Sequence, residues 1–259
     1  MDIAMRLSIS FLVLVLHGAL LSGCGLNQEK ADPTKDWSPQ RIYSEAKSEI
    51  ASGNNEKGIK LLETLQARYP YGRFAQQAQL DEAYAYYKSD EIPQALAAAD
   101  RFIKLHPNHP NVDYAFYLKG LCNFRDDLGP LGFFSTDDLA ERDPKAAKDS
   151  FDTFRELVTR YPESRYAPDA VKRMNYLVNA LATHEVKVAD YYFRRGAYVA
   201  AANRAQEAVN TYPQAPALEQ ALNIMVKSYS AMGLNDLATD ANKVLQKNFP
   251  ASKFLNEKS

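Results

Sequence analysis

Two stretches decide how the chain folds: YFRRGAYVAAANRAQEAVNTYP at 192–213 and YSAMGLNDLATDANKVLQKNFP at 229–250. Laid over one another, both begin with Tyr, carry Gly four residues on and Ala nine residues on, and close with an aromatic residue before Pro. Working outward, the closing pair recurs as Tyr69-Pro70, His106-Pro107 and Tyr161-Pro162, so that the five prolines are spaced by 37, 55, 51 and 37 residues. Twelve residues before each Pro stand Gly58, Ala95, Ser150, Ala201 and Ala238, all small. Eight residues after the first four stand Ala78, Ala115, Ala170 and Ala221. Tyr86 joins Tyr192 and Tyr229 twenty-one residues before its Pro, and Gly53 joins Gly196 and Gly233 seventeen before.

These columns describe a helix, a tight turn and a second helix, repeated. Gly supplies the positive φ that a turn between helices needs. Small residues let paired helices approach closely, and Pro ends the second helix because it has no N–H and clashes with the preceding turn. A period near 34 residues is that of tetratricopeptide (TPR) repeats. The expected fold is all-α, a superhelical solenoid of about five TPR-like repeats over 37–259, ending near Pro70, Pro107, Pro162, Pro213 and Pro250. Two copies are long. The third carries an insertion at 126–144 with the pair Phe133-Phe134, and the first helix of the fourth runs over about 166–195. Such a helix is roughly 45 Å long and projects beyond its neighbours towards a partner.

Residues 1–23 read as a removable signal. Arg6 precedes an apolar run at 7–20, too short for the roughly 20 residues of a membrane span and of the right length for a secretory signal. The run ends in Leu21-Ser22-Gly23-Cys24, a lipobox in which two small residues admit the chain to a peptidase and the Cys24 thiol accepts the lipid. Polar residues 24–36 then form a lipidated tether. Gly25 after the cysteine, rather than Asp, favours the outer membrane by analogy with lipoprotein sorting in enterobacteria. Once Cys24 is acylated only Cys122 remains, so no intrachain disulfide forms. Its apolar neighbours Leu118, Leu121 and Phe124 mark it as a core thiol.

Chemistry is sparse. The net charge of −1 offers no basic surface for nucleic acid. His106 and His109 flank prolines in a turn between repeats and lack the further ligands a metal site requires. Asp126-Asp127 and Asp137-Asp138 lie in the insertion and solvate a loop. There is no phosphate-binding Gly-rich loop or nucleophile elbow. The sequence therefore suggests no enzyme, metal or cofactor beyond the covalent lipid on Cys24. Tyr84 and Tyr117 belong to aromatic clusters on the first helices of repeats two and three. First helices line the inner face of TPR arrays, which makes these two tyrosines candidates for a groove that receives an extended peptide.

The stretch Arg195-Gly196-Ala197-Tyr198-Val199-Ala200-Ala201-Ala202-Asn203-Arg204 resembles the RGAYVAAxNR segment of the BamD family of outer-membrane assembly lipoproteins. So do Asp100-Arg101-Phe102-Ile103-Lys104-Leu105-His106-Pro107 with His109-Pro110, the Phe133-Phe134…Arg142-Asp143-Pro144 insertion and His184-Glu185. The resemblance covers the whole mature chain. It implies a periplasm-facing scaffold of the β-barrel assembly complex whose N-terminal repeats bind unfolded outer-membrane proteins. Its C-terminal repeats would meet the POTRA domains of a BamA-like barrel subunit, beside other lipoproteins of the complex. Arg204, Arg195 and Tyr198 are the partner-binding residues it implies. Ala201, Ala205 and Ala208 form the buried stripe of their helix, leaving the Arg204 stem at its edge with the guanidinium outward. On that reading Arg204→Glu releases the partner with little change in melting temperature. A generic repeat pattern also admits a periplasmic TPR adaptor for other envelope or cell-wall machinery, which has no need of the insertion or the RGAYVAAANR stretch.

Overall fold

The computed structural model describes residues 32–124 and 144–256. Cys24, most of the tether and all of the insertion except Pro144 lie outside the described residues. The chain divides into two compact units, Met1–Ser38 and Pro39–Ser259. In the first, Asp32 closes a turn by accepting from the N–H and hydroxyl of Thr34 at 2.8 and 2.6 Å.

The second unit is helical throughout its described residues. Its helices are α1 (Pro39–Ala51), α2 (Asn55–Arg68), α3 (Arg73–Lys88), α4 (Ile92–Leu105) and α5 (Val112–Phe124). They continue as α6 (Pro144–Arg160), α7 (Ala167–Arg194), α8 (Tyr198–Thr211), α9 (Leu218–Ala231) and α10 (Asn235–Asn248), followed by a 3-10 turn, Lys253–Asn256. Each helix packs on its neighbours in the chain, and α1 also touches α3, α3 touches α5, and α7 touches α9. That is the nearest-neighbour arrangement of a solenoid, built from the pairs α1/α2, α3/α4, α5/α6, α7/α8 and α9/α10.

The repeat columns have a common local geometry. Ahead of the closing prolines, Tyr69, His106, Tyr212 and Phe249 leave the helix at φ between −125 and −132° and ψ between 54 and 67°, since a following Pro disfavours the α region. Their N–H groups still donate to the carbonyls of Leu65, Phe102, Ala208 and Leu245, and Tyr161 donates likewise to Leu157. Those five acceptors, five residues before each Pro, are all buried. They form an apolar column that the motif comparison did not pick out.

At the turn, the N–H groups of Asn54, Glu91, Ala197 and Leu234 reach back to the carbonyls of Glu49, Tyr86, Tyr192 and Tyr229 at 2.8–3.0 Å. This is the six-to-one bond of a Schellman cap, which needs a left-handed residue just before it. Gly53, Gly196 and Gly233 supply it at φ of 73–87°, and in the second repeat Asp90 does so at φ 60°. Asp90 thus stands where the glycine column skips the second repeat.

The small column is buried in every repeat. A Cβ at Gly58 would strike Ile50 of α1. Ser150, its one polar member, donates to the Gly120 carbonyl at 2.9 Å, so the buried hydroxyl is satisfied. The long first helix of the fourth repeat is α7, 28 residues and roughly 42 Å. It buries Leu177, Leu181, Ala182, Val186 and Ala189 against its neighbours.

Candidate protein-binding sites

First helices of successive repeats lie side by side, and between them opens a cleft of about 780 Å³. α1 contributes Lys47, α3 contributes Leu80, Asp81 and Tyr84, α5 contributes Asp113 and Tyr114, and the turn into α7 contributes Arg165 and Tyr166. Its floor is ordered by polar bonds. Asp81 is buried and accepts from the Tyr43 hydroxyl at 2.6 Å and from Lys47 at 3.1 Å. Burial, followed by the bond to Asp81, raises the Tyr43 phenol well above its ordinary range. Asp113 accepts from the Ser164 hydroxyl at 2.6 Å, tying the repeat-three helix to the turn ahead of α7.

Of the two tyrosines expected in a groove, Tyr84 lines this cleft. Tyr117 does not; it stands one layer behind, stacked on Tyr166 at 4.8 Å and 19°. Its hydroxyl donates to Asp169 at 2.7 Å. Burial and that bond push the Tyr117 phenol up to about 12, so it stays a donor at physiological pH. Burial pushes the Asp169 carboxyl up, but the bonds from Tyr117 and Arg173 outweigh it and leave it below its ordinary value. Tyr117 thus props a wall residue rather than forming the wall. Tyr114 and Tyr166, which sequence reasoning did not single out as groove residues, are the other cleft tyrosines.

The second site lies on α7 and α8. Small residues Ala201, Ala205 and Ala208 are completely buried and bring α8 close to α7. Arg204, one residue from that stripe, donates from Nη1 to Glu185 Oε2 at 2.9 Å. Its side chain is 49% exposed and that of Glu185 only 11%. Arg204 is half exposed, and its guanidinium is also tied to its own chain, where it neutralises a carboxylate sunk in the α7 core stripe; the expectation that Arg204→Glu leaves the melting temperature unchanged is therefore corrected. Arg204→Glu would set two carboxylates together at a buried position, so its melting temperature should fall. The sequence did not show Glu185 in this role, since one helix's pattern does not fix its rotation against the next.

Nearby, Arg195 lies 5.4 Å from the Tyr191 ring centre, and the Tyr198 ring packs on Phe193 at 5.5 Å. Tyr191 and Val199 are exposed, and Arg194 pairs with Asp190 at 2.9 Å. Cationic and apolar surface thus meet at the α7–α8 turn. Aromatic and Arg side chains are the usual anchors of protein interfaces.

Elsewhere, His106 bonds Gln79 at 2.9 Å and packs on Phe102. No group of three or more His, Cys, Asp or Glu among the described residues is placed to hold a metal. Cys122 is buried, and burial pushes its thiol up to about 12, so it stays protonated and inert.

A repeat array with a cleft between its first helices and an arginine- and tyrosine-bearing edge offers two candidate surfaces for binding other proteins. A family model described as YfiO, outer membrane lipoprotein, matches residues 35–245. The chain is 47% identical over 249 residues to the outer membrane protein assembly factor BamD of Neisseria meningitidis serogroup B, covering 95% of this chain and 93% of that one. It is 39% identical to BamD of Vibrio cholerae over 89% of this chain and 94% of that one. The chain belongs to the BamD (YfiO) family. Among solved structures, it aligns with a putative kinesin light chain of Podosopora anserina with nearly identical TPR-like repeats, at TM-score 0.39 and 13% identity, over 86% of this chain and 100% of that one.

Proposed function

We propose that this chain is the lipid-anchored scaffold of an outer-membrane β-barrel assembly complex. Cys24 carries the lipid and holds the repeats at the periplasmic face of the outer membrane. The cleft receives extended segments of unfolded outer-membrane proteins. The α7–α8 edge, with Arg204, Arg195 and Tyr198, meets the POTRA domains of a BamA-like barrel subunit, alongside the other lipoproteins of the complex. The role is binding rather than catalysis.

The observation that carries this reading is the cleft itself, where three half-buried tyrosines face one opening: Tyr84 on α3, Tyr114 on α5 and Tyr166 in the turn ahead of α7. Tyrosine offers a large apolar area with a polar tip at low entropy cost. Such a surface suits a mobile chain that orders only a short contact, so the affinity should be weak. Titration of the full chain with a peptide ending in an aromatic residue tests it. Tyr84→Ala should weaken binding about fivefold to thirtyfold, as loss of about 1–2 kcal/mol implies. Equal affinity for a scrambled peptide would sink the sequence-reading cleft. Mild detergent extraction should bring the barrel subunit with the chain. Cys24→Ala should leave the chain in the soluble or unprocessed fraction, since a stable anchor takes about two acyl chains.

A further inference from the structure

We infer that Glu185 is a positioning residue for the partner contact, holding the Arg204 guanidinium in the one attitude that an acidic group on the partner can read. The inference rests on the reading that Arg204 meets the barrel subunit, and goes beyond it in assigning the intramolecular acid a recognition role.

Two observations meet here. The Glu185 carboxylate lies in the buried face of α7 with a side chain only 11% exposed, and the Arg204 side chain bonded to it at 2.9 Å remains 49% exposed. A guanidinium carries five N–H donors in a planar fork. One goes to Glu185, which anchors one end of the fork and narrows the attitudes its plane can take, and the exposed half leaves others for a second carboxylate. Bidentate recognition of a carboxylate depends on that plane being set correctly. An arginine otherwise free to turn must surrender rotamer freedom when it binds; here that freedom is lost in folding, before the partner arrives. The pair is also formally neutral. Long-range attraction to an acidic partner is thereby damped, and recognition falls to short-range geometry, which favours a matching acidic site over any negative surface.

Charge and placement can be separated by experiment. Glu185→Gln and Glu185→Met remove the same charge and match in length and helix propensity, but only Gln keeps an oxygen to accept from Arg204. The full chain is titrated with the purified periplasmic domains of the barrel subunit, in the wild-type and Arg204→Leu backgrounds, with a melting curve for each variant. Glu185→Gln should bind at least as tightly as wild type, and more salt-sensitively, because the arginine's charge is unmasked. Glu185→Met should bind roughly threefold to tenfold more weakly than Glu185→Gln. In the Arg204→Leu background the two should bind alike. Equal binding of Gln and Met with Arg204 present overturns the positioning role, as does the same difference between them without it, which would mark an effect on the fold alone. Arg204→Leu binding as well as wild type would overturn the interface reading and this inference together.

Discussion

Glu82 is buried beside Asp81 and accepts from Gln66 at 2.6 Å. Burial raises its pKa above 4.5, with the Gln66 bond opposing. An acid whose folded pKa is raised binds protons more readily in the folded state. Its contribution to stability is then present below the unfolded pKa and lost as pH rises through the folded value. Glu82→Gln should therefore raise the melting temperature at pH 7, where the wild type keeps a buried carboxylate ionised. The gain should fade as pH drops towards 4, where the wild-type acid is neutral. Melts across that range decide it, and a gain independent of pH would place the effect in packing. Asp90 gives a second case. It stands at φ 60° where its counterparts are glycines, a conformation Asp tolerates better than most residues but at some cost. Asp90→Gly should be neutral or stabilise by up to about 1 kcal/mol, and Asp90→Val should destabilise by about 1–2 kcal/mol, as chemical denaturation can measure.

At the scale of helices, the small column sets how closely each pair approaches. Ala95 on α4 is completely buried, and Ala238 on the final helix α10 is 7% exposed. Ala95→Leu should cost about 1–3 kcal/mol through overpacking. Ala238→Leu should cost less, because Ala238 keeps some exposure and α10 presents Leu234, Leu237 and Val244, on and beside it, to solvent. Thermal melts of both variants test the order, and equal losses would contradict this account of α10. Helix pairs, their turns and their stops were legible because each leaves a fixed residue at a fixed offset: Gly196 before the cap, Ala201 inside the pair, Pro213 beyond the end. The long α7 was legible for a simpler reason, the lack of any Pro after Pro168 or Gly before Gly196. What resisted reading was the phase of one helix against another. Arg204 was placed at the edge of its own stripe, but its partner Glu185 lies on α7 and is set by rotation about a second axis. For the same reason Tyr117 looked like a groove residue and proves to back Tyr166.

Across the whole repeat array, α7 is the element common to both proposed contacts. Tyr166 and Arg165, just ahead of its first residue, line the cleft, and Glu185 holds Arg204 in its second half. Tyr166 and Glu185 stand nineteen positions apart, roughly 28 Å along the helix axis. Effects of changes more than about 10 Å apart with no shared partner usually add within about 0.5 kcal/mol. Tyr84 and Arg204 share no contact, so a rigid α7 should hold both ligands without linking them. Peptide affinity should then be the same, within about twofold, whether or not the barrel subunit's periplasmic domains are bound. Tyr84→Ala should weaken the peptide and spare the partner, Arg204→Leu should do the reverse, and the double variant should show the sum. Titrating peptide into each variant, alone and saturated with partner, measures all of these terms at once. A shift in peptide affinity of tenfold or more on partner binding would mean a coupling of about 1.4 kcal/mol. The helix joining the sites would then have to move as a switch, with the same shift appearing in reverse when peptide is bound first.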